Sequence, residues 1–117
     1  SEDRLSLISS AAADTIKGLL PVLDDCERAL EILEKSSDEA AKEGTSLIYT
    51  KLMDYLKTKG LTRIEAKGED FNTDFHEAVT QFPAPSEELK GKVIDVVQTG
   101  YLLNGKVLRY AKVVVGA

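Results

Sequence analysis

Apolar residues in the first half of the chain recur at helical spacing. From residue 19 onward they fall alternately four and three residues apart, as in a helix that packs along one seam. The residues of this seam are Leu19, Leu23, Cys26, Leu30 and Leu33. Leu5, Ile8 and Ala12 continue the helical spacing upstream. Because Leu20, Val22 and Ile32 widen the stripe, the helix is expected to pack against more than one neighbour.

The same region contains the signals that divide one helix from the next. Pro21 lacks a backbone donor and predicts a kink or a short break in the first helix, which should end near Lys35. A turn over residues 36–38 follows, in which Ser37 or Asp38 can cap a second helix over residues 39–58. Gly60 is placed to end that helix in a left-handed conformation.

The second helix is expected to complete a helical hairpin. Its predicted buried side consists of Leu47, Ile48, Leu52, Tyr55 and Leu56. Two helices alone have a thin core, and two hairpins together make a four-helix bundle. We therefore assign the seam on the first helix, together with Leu52 and Leu56, to the interface of a homodimer.

Downstream of Gly60 the signals are those of strands and turns. Alternating or β-branched runs predict strands at residues 62–66, 76–82, 92–98, 101–103, 106–109 and 112–115. Asn104-Gly105 supplies the two positive φ angles of a type I′ turn, which predicts a tight hairpin. The predicted fold is α+β: an N-terminal helical hairpin that forms a four-helix bundle on dimerisation, then a small, mostly antiparallel β wing. We divide the chain into three parts. Residues 1–18 are the end of a longer stalk helix, residues 19–60 form the dimerisation hairpin, and residues 61–117 form the wing.

Composition and charge exclude several classes of partner. The net charge of −5 leaves no basic field for a phosphate backbone, so nucleic acid is not expected as a partner. No apolar run reaches the roughly 20 residues that span a bilayer, and no signal peptide is visible, so no membrane association is expected. The single cysteine rules out an internal disulfide and suits a reducing compartment.

The sequence contains no recognisable set of catalytic residues. His76 is the only imidazole, and a lone histidine in a strand is usually a packed or hydrogen-bonding residue. Cys26 lies on the apolar seam, where a thiol behaves as a small apolar group. Glycine-rich phosphate loops and metal-ligand spacings are absent from the sequence. We expect neither enzymatic activity nor a cofactor or metal ion.

Two stretches carry a family resemblance. Residues 19–25 read LLPVLDD and residues 27–31 read ERALE. Residues 71–79 follow the pattern FNxxxHxAV, and residues 100–115 follow GYxxxGxxLRxAxVxV. Together these resemble the GrpE family of nucleotide-exchange factors. Members of that family carry an acidic segment and a long paired helix ahead of this region, so the resemblance also implies that the chain is a fragment.

The resemblance implies a function in protein folding and the heat-shock response. GrpE proteins are homodimers in which a β wing binds the nucleotide-binding domain of a DnaK-type heat-shock chaperone, opens its cleft and releases ADP. The chaperone-binding positions that it implies are Arg28, Glu31, Ile32, Phe71, Val97, Lys106, Arg109 and Val115. It also implies a location in the bacterial cytoplasm, in preference to an organelle matrix.

Structural roles compete with binding roles for most of these positions. Phe71, Val97 and Val115 could instead form the core of the wing, and Lys106 could simply be the exposed end of a hairpin. Arg28 and Glu31 could form an ion pair, since they lie three residues apart on a helix. At the level of function, the main alternative is a dimeric adaptor or scaffold whose β module binds another protein. A small enzyme acting through His76 is a further alternative, and it would need a second titratable group beside the imidazole.

Overall fold

The structure, a computed structural model, describes the backbone of residues 2–117 and the side chains from residue 10 onward. Leu5 and Ile8, named above as upstream apolar positions, therefore lie outside the described side chains. The chain divides into two compact units, residues 1–59 and residues 60–117. The first unit is helical and the second consists mainly of β-strands. The predicted α+β class is confirmed.

The helical unit is a hairpin of two helices. Helix α1 spans Glu2–Leu33 and helix α2 spans Glu39–Thr58. The Asp38 side chain accepts a hydrogen bond from the backbone N–H of Ala41, at 3.0 Å, and so caps α2 as predicted. Across the hairpin, the Tyr49 hydroxyl donates to Oε1 of Glu27 at 3.1 Å.

Helix α1 continues through Pro21, so the break expected there is absent from the described helix. A proline removes one hydrogen bond from the helical ladder, and the turns on either side keep theirs. Pro21 is exposed, so its ring does not compete with the packed side of the helix. The helix ends at Leu33, two residues before the predicted end at Lys35.

Within the single chain, only part of the predicted buried side of α2 is covered. Met53 and Leu56 are the buried residues of this helix. Leu47, Ile48 and Tyr55 are instead 54%, 64% and 58% exposed. The reason is geometric: α1 covers one side of α2, and an apolar residue about 100° further around the helix is left open in the single chain.

The β unit contains two three-stranded sheets. Its strands, in the described chain, are β1 (Leu61–Arg63), β2 (His76–Phe82), β3 (Val93–Gln98), β4 (Tyr101–Leu103), β5 (Lys106–Arg109) and β6 (Ala111–Gly116), with a short 3-10 helix at Glu87–Leu89. The first sheet has the order β1-β4-β5 and is antiparallel. The second has the order β2-β6-β3, with β2 parallel to β6 and β3 antiparallel to it. The wing is thus mostly antiparallel, as predicted.

Strand β6 carries the core of this unit. The buried cluster comprises Ala66, Val93, Ala111, Val113 and Val115, and Ile64, Phe71 and Val96 pack against it. Three of the five buried members belong to β6, because this strand lies between β2 and β3 and both of its edges are paired.

Glycines and one asparagine set the turns of the β unit. Asn104 and Gly105 have φ angles of 51° and 82°, which confirms the predicted type I′ turn between β4 and β5. Gly60 has a φ angle of 95°, as expected where α2 ends. At Gly100 the constraint is close approach: a Cβ built there would lie 2.4 Å from the backbone nitrogen of Ala111.

Candidate protein-binding site

Phe71, a predicted contact residue of the β unit, packs against other side chains of that unit. It is half-buried and packs against the core cluster. Its ring stacks on the imidazole of His76, with ring centroids 5.9 Å apart and an angle of 25° between the planes. The packing role considered for Phe71 is thus present, and part of the side chain also remains open to solvent.

Val97 and Val115 differ in their exposure to solvent. Val115 is 6% exposed and belongs to the core cluster, so its side chain supports the surface from beneath. Val97 is 61% exposed. The cause is a register shift on β3: Val96 pairs with Val113 and Gln98 with Lys112, so Val97 lies in the bulge between them and has no partner on β6.

Arg109 is held by the protein itself. Its Nε and Nη2 atoms both donate to the carbonyl oxygen of Thr99, at 3.1 and 2.6 Å. The guanidinium also lies over the ring of Tyr101, 5.4 Å from the ring centroid. These contacts fix the turn between β3 and β4. Lys106, in contrast, is exposed at the first position of β5, next to the Asn104-Gly105 turn.

The predicted contact residues on α1 are exposed. Arg28 forms an ion pair with Asp25, one turn earlier, rather than with Glu31. Both side chains of this pair are about 70% exposed, so it contributes little to stability. Ile32 is 69% exposed.

A groove between the helices is a feature that the sequence did not indicate. It has a volume of about 410 Å³ and is lined by Glu27, Leu30, Glu31, Glu34, Lys42 and Ser46. Glu31 is thus a predicted contact residue that lines this groove. No periodicity identifies such a groove, because it forms between side chains of two helices that pair only in the folded hairpin.

The residues assigned to the dimer interface fall into two groups. Leu23 and Leu56 are 0% and 1% exposed and are already covered within the single chain. The others, Leu19, Cys26, Leu30, Leu33 and Leu52, are half-buried and keep part of their apolar surface open.

A second apolar stripe runs beside the buried side of the hairpin. On α1 its members fall alternately three and four residues apart, and on α2 they are four and three apart, so each set lines one helix face. We call this set the outer stripe; it comprises Leu19, Val22, Cys26, Ala29, Leu33, Ile48, Leu52 and Tyr55. Its most exposed members are Ile48, Tyr55 and Val22, at 64%, 58% and 47%.

Burial and neighbouring charges shift the pKa values of three groups in the β unit, His76, Asp70 and Lys92. Burial lowers the pKa of His76, and the nearby Glu69 carboxylate partly offsets this. The Lys92 ammonium donates to Oδ1 of Asp70 at 2.8 Å; this contact lowers the pKa of Asp70 and raises that of Lys92. Within the described residues, no group of three His, Cys, Asp or Glu side chains is arranged to hold a metal ion. No described helix is long and apolar enough to cross a bilayer.

Comparison with known proteins places the whole chain in one family. The sequence model of the family described as GrpE matches residues 1–117. A Protein GrpE from Bacteroides fragilis is 51% identical over 116 residues, which cover 98% of this chain and 60% of that protein. A Protein GrpE from Porphyromonas gingivalis is also 51% identical over 116 residues, with the same coverage of 98% and 60%. One from Chromohalobacter salexigens is 42% identical over 100 residues, 86% of this chain and 47% of that protein. The chain therefore spans about 60% of the length of the first of these relatives, and it belongs to the GrpE family.

Proposed function

We propose that this chain is the dimerising and chaperone-binding part of a nucleotide-exchange factor for a DnaK-type heat-shock chaperone in the bacterial cytoplasm. The observation that carries the proposal is the match of the GrpE family to residues 1–117. The β unit supports it, because the signature residues between positions 71 and 115 lie in one compact unit with Val97 and Lys106 at its surface.

The proposed mechanism involves no catalysis. The β unit binds the nucleotide-binding domain of the chaperone in its open form, and an open cleft holds ADP weakly. Because the coupling between two ligands is reciprocal, ADP must weaken binding of this chain by the factor by which the chain weakens binding of ADP. A factor of about 5 to 150 corresponds to the usual range of such couplings.

Two kinds of side chain would carry the contact. Phe71, Val97 and Lys106 would meet the chaperone directly, with Arg109 and Val115 holding the surface behind them. On α1, the exposed Arg28, Glu31 and Ile32 would form a second contact region. Ile32 supports this assignment, because 69% of its surface is open and it lies off the outer stripe.

The release of labelled ADP from a DnaK-type chaperone tests this function. We expect the chain to accelerate release, and we expect Val97→Asp to weaken the effect about tenfold or more, since it places a charge in a desolvated contact. Val79→Asp is the matched control: Val79 is an exposed valine of the same sheet, 46% open, at no predicted contact position. A double change, Phe71→Ala with Lys106→Ala, should remove most of the acceleration.

Two results would contradict the proposal. The first is an intact dimer that leaves ADP release unchanged, a result that would favour the adaptor function. The second is equal loss of activity in Val97→Asp and Val79→Asp, which would show that the charge itself, and not the contact, matters.

We further propose that the chain forms a homodimer through the outer stripe, giving a four-helix bundle. Leu19, Cys26, Leu33 and Leu52 would meet the second copy, while Leu23, Leu30 and Leu56 would fill the core beneath. Apolar residues at alternating three- and four-residue spacing are the pattern of helices that pack side by side. Val22, Ile48 and Tyr55 have exposed apolar surface that a second hairpin would cover.

The dimer predicts a cross-link at Cys26. In the proposed bundle the two α1 helices pair in parallel and in register, so α1 residues that face the two-fold axis meet their own copies and the two Cys26 thiols come together. A short bismaleimide should therefore join two chains in high yield, and Val22→Asp should abolish the product by placing a charge in the stripe. Leu47→Asp is the control, because Leu47 is 54% exposed but lies off the stripe. A monomer by mass measurement in solution would contradict this proposal.

A further inference from the structure

The segment that carries Phe71 is closed by hydrogen bonds between Asn72 and His76. The backbone N–H of Asn72 donates to Nδ1 of His76 at 3.0 Å. In return, the N–H groups of Phe75 and His76 donate to the carbonyl oxygen of Asn72, at 3.1 and 2.8 Å. Oδ1 of Asn72 accepts from the N–H of Asp74 at 2.9 Å. Residues 72–76 are thus a closed turn, and the imidazole supplies the acceptor on one side.

The imidazole serves both the turn and the aromatic ring that precedes it. His76 is 6% exposed, and its ring stacks on that of Phe71. Nδ1 can accept the Asn72 N–H only when it carries no proton, so the ring must be the neutral form with its proton on Nε2. Protonation would place an N–H at Nδ1 directly against another N–H.

Few charges face this imidazole. In the segment before it, Glu69 acts on its pKa, and Asp70 is paired with Lys92. On β6, the residue opposite His76 is Ala111, which is uncharged. The next pair in register, Glu77 and Lys112, points to the other face of the sheet because successive strand residues alternate.

We propose that His76 is a positioning residue, whose neutral imidazole fixes the turn of residues 72–76 and with it Phe71, so that a partner that contacts Phe71 binds more tightly while the imidazole is uncharged. The partner contact rests on the proposed function, whereas the fixing of the turn does not. His76 touches Phe71 and the backbone of Asn72, and it acts on the partner through them.

The sign of the pH dependence follows from burial. The pKa of His76 in the folded chain lies below the ordinary histidine value of 6.5, because burial disfavours the charged ring. Above that ordinary value the ring is neutral in the folded and the unfolded chain, and its contribution to stability is fully present. As the pH falls below it, the unfolded chain takes up the proton first, so stability decreases until the folded pKa is passed.

The first experiment follows the turn without any partner. Amide hydrogen exchange of Asn72, expressed as a protection factor, and the imidazole resonances of His76 are measured by NMR between about pH 7.5 and about pH 5. We expect the protection of Asn72 to fall, about tenfold, in step with protonation of His76. If the protection of Asn72 stayed constant while the imidazole titrated, the proposal would be overturned. This measurement uses the unmodified chain, so it does not depend on whether a variant folds.

Two variants separate the acceptor from the ring. His76→Asn keeps a side-chain acceptor near the position of Nδ1 and does not titrate, so Asn72 should stay protected at every pH. His76→Phe keeps a ring for stacking but has no acceptor, so Asn72 should be unprotected at every pH. Equal behaviour of the two variants would contradict a role for the acceptor.

Binding to the DnaK-type chaperone is then compared at both ends of the pH range. The unmodified chain should bind about tenfold more weakly at the acid end, whereas His76→Asn should show no such difference, which removes titration of the chaperone as the cause. If the chain bound the chaperone at no pH while the protection of Asn72 changed as expected, the proposed function would be refuted. The role of His76 in fixing the turn would still stand. Binding that persists while Asn72 loses its protection would overturn the positioning of the partner contact.

Discussion

Replacing Gly100 by alanine is expected to destabilise the β unit by about 3 kcal/mol, since the added methyl group has no room. Its Cβ would lie 2.4 Å from the backbone nitrogen of Ala111, and 2.8 Å from both the Cα of Ala111 and Cδ1 of Ile64. Two of these three atoms belong to the backbone of the strand that carries the core, so relief requires moving β6. The carbonyl oxygen of Gly100 accepts from the N–H of Ile64, and that bond would be strained as well.

Hydrogen exchange of the β6 amides measures this loss, because it reports on the β unit separately from the helices. Gly68→Ala is the matched control. Gly68 has a φ angle of 84° but nothing within 4 Å of its Cβ position, so alanine there meets strain without a clash. We expect it to lower stability by about 1 kcal/mol. If the two variants lost equal stability, close approach at Gly100 would not be the cause.

Leu23→Ala is expected to lower the free energy of unfolding of the helical unit by about 3 kcal/mol. Leu23 is 0% exposed, and Leu20 next to it in the packed side is 1% exposed. Removing a buried leucine side chain takes away its transfer free energy and leaves a cavity that the two helices can close only in part. Urea unfolding followed by helical circular dichroism, at a fixed chain concentration, measures the change.

The exposed Ile32 supplies the control for this prediction. Ile32→Ala removes a similar side chain that is 69% exposed, so the stability should change by no more than about 0.5 kcal/mol. A loss at Ile32 comparable to that at Leu23 would mean that a second copy covers Ile32 in solution, which would contradict its assignment to the chaperone contact.

The parts of the fold that the sequence predicted are those with local signals. The limits of α2 follow from the Asp38 cap at one end and Gly60 at the other, both of which act within a few residues. The hairpin between β4 and β5 follows from Asn104-Gly105 alone. Signals of this kind require no knowledge of which elements pack together.

The faces of the elements were harder to predict than the elements themselves. Ile48 and Tyr55 continue the apolar periodicity of α2, yet they are exposed because periodicity marks a stripe without naming what covers it. Val97 and Val115 look alike in the sequence, yet a bulge on β3 exposes the first while β6 buries the second. The position of a bulge depends on the pairing strand, which lies elsewhere in the chain.

His76 shows the same limit within the candidate site. The sequence predicted a packed or hydrogen-bonding histidine, and its 6% exposure and its bond to Asn72 confirm this. The identity of the donor did not follow, because a backbone N–H becomes available to a side chain only once the turn is closed. The stacking of its ring on Phe71 likewise depends on the core that both residues adjoin.

The central place of β6 has a consequence for the order of events during synthesis. Translation proceeds from the N-terminus, so β2 and β3 leave the ribosome before the strand that joins them. The helices pair across a short turn and can form early. In contrast, His76 can pair with Ala111 only after β6 has been synthesised. During that interval the exposed edges of β2 and β3 are open to pairing with other chains. A translational pause before β6 has left the ribosome would lengthen this vulnerable period.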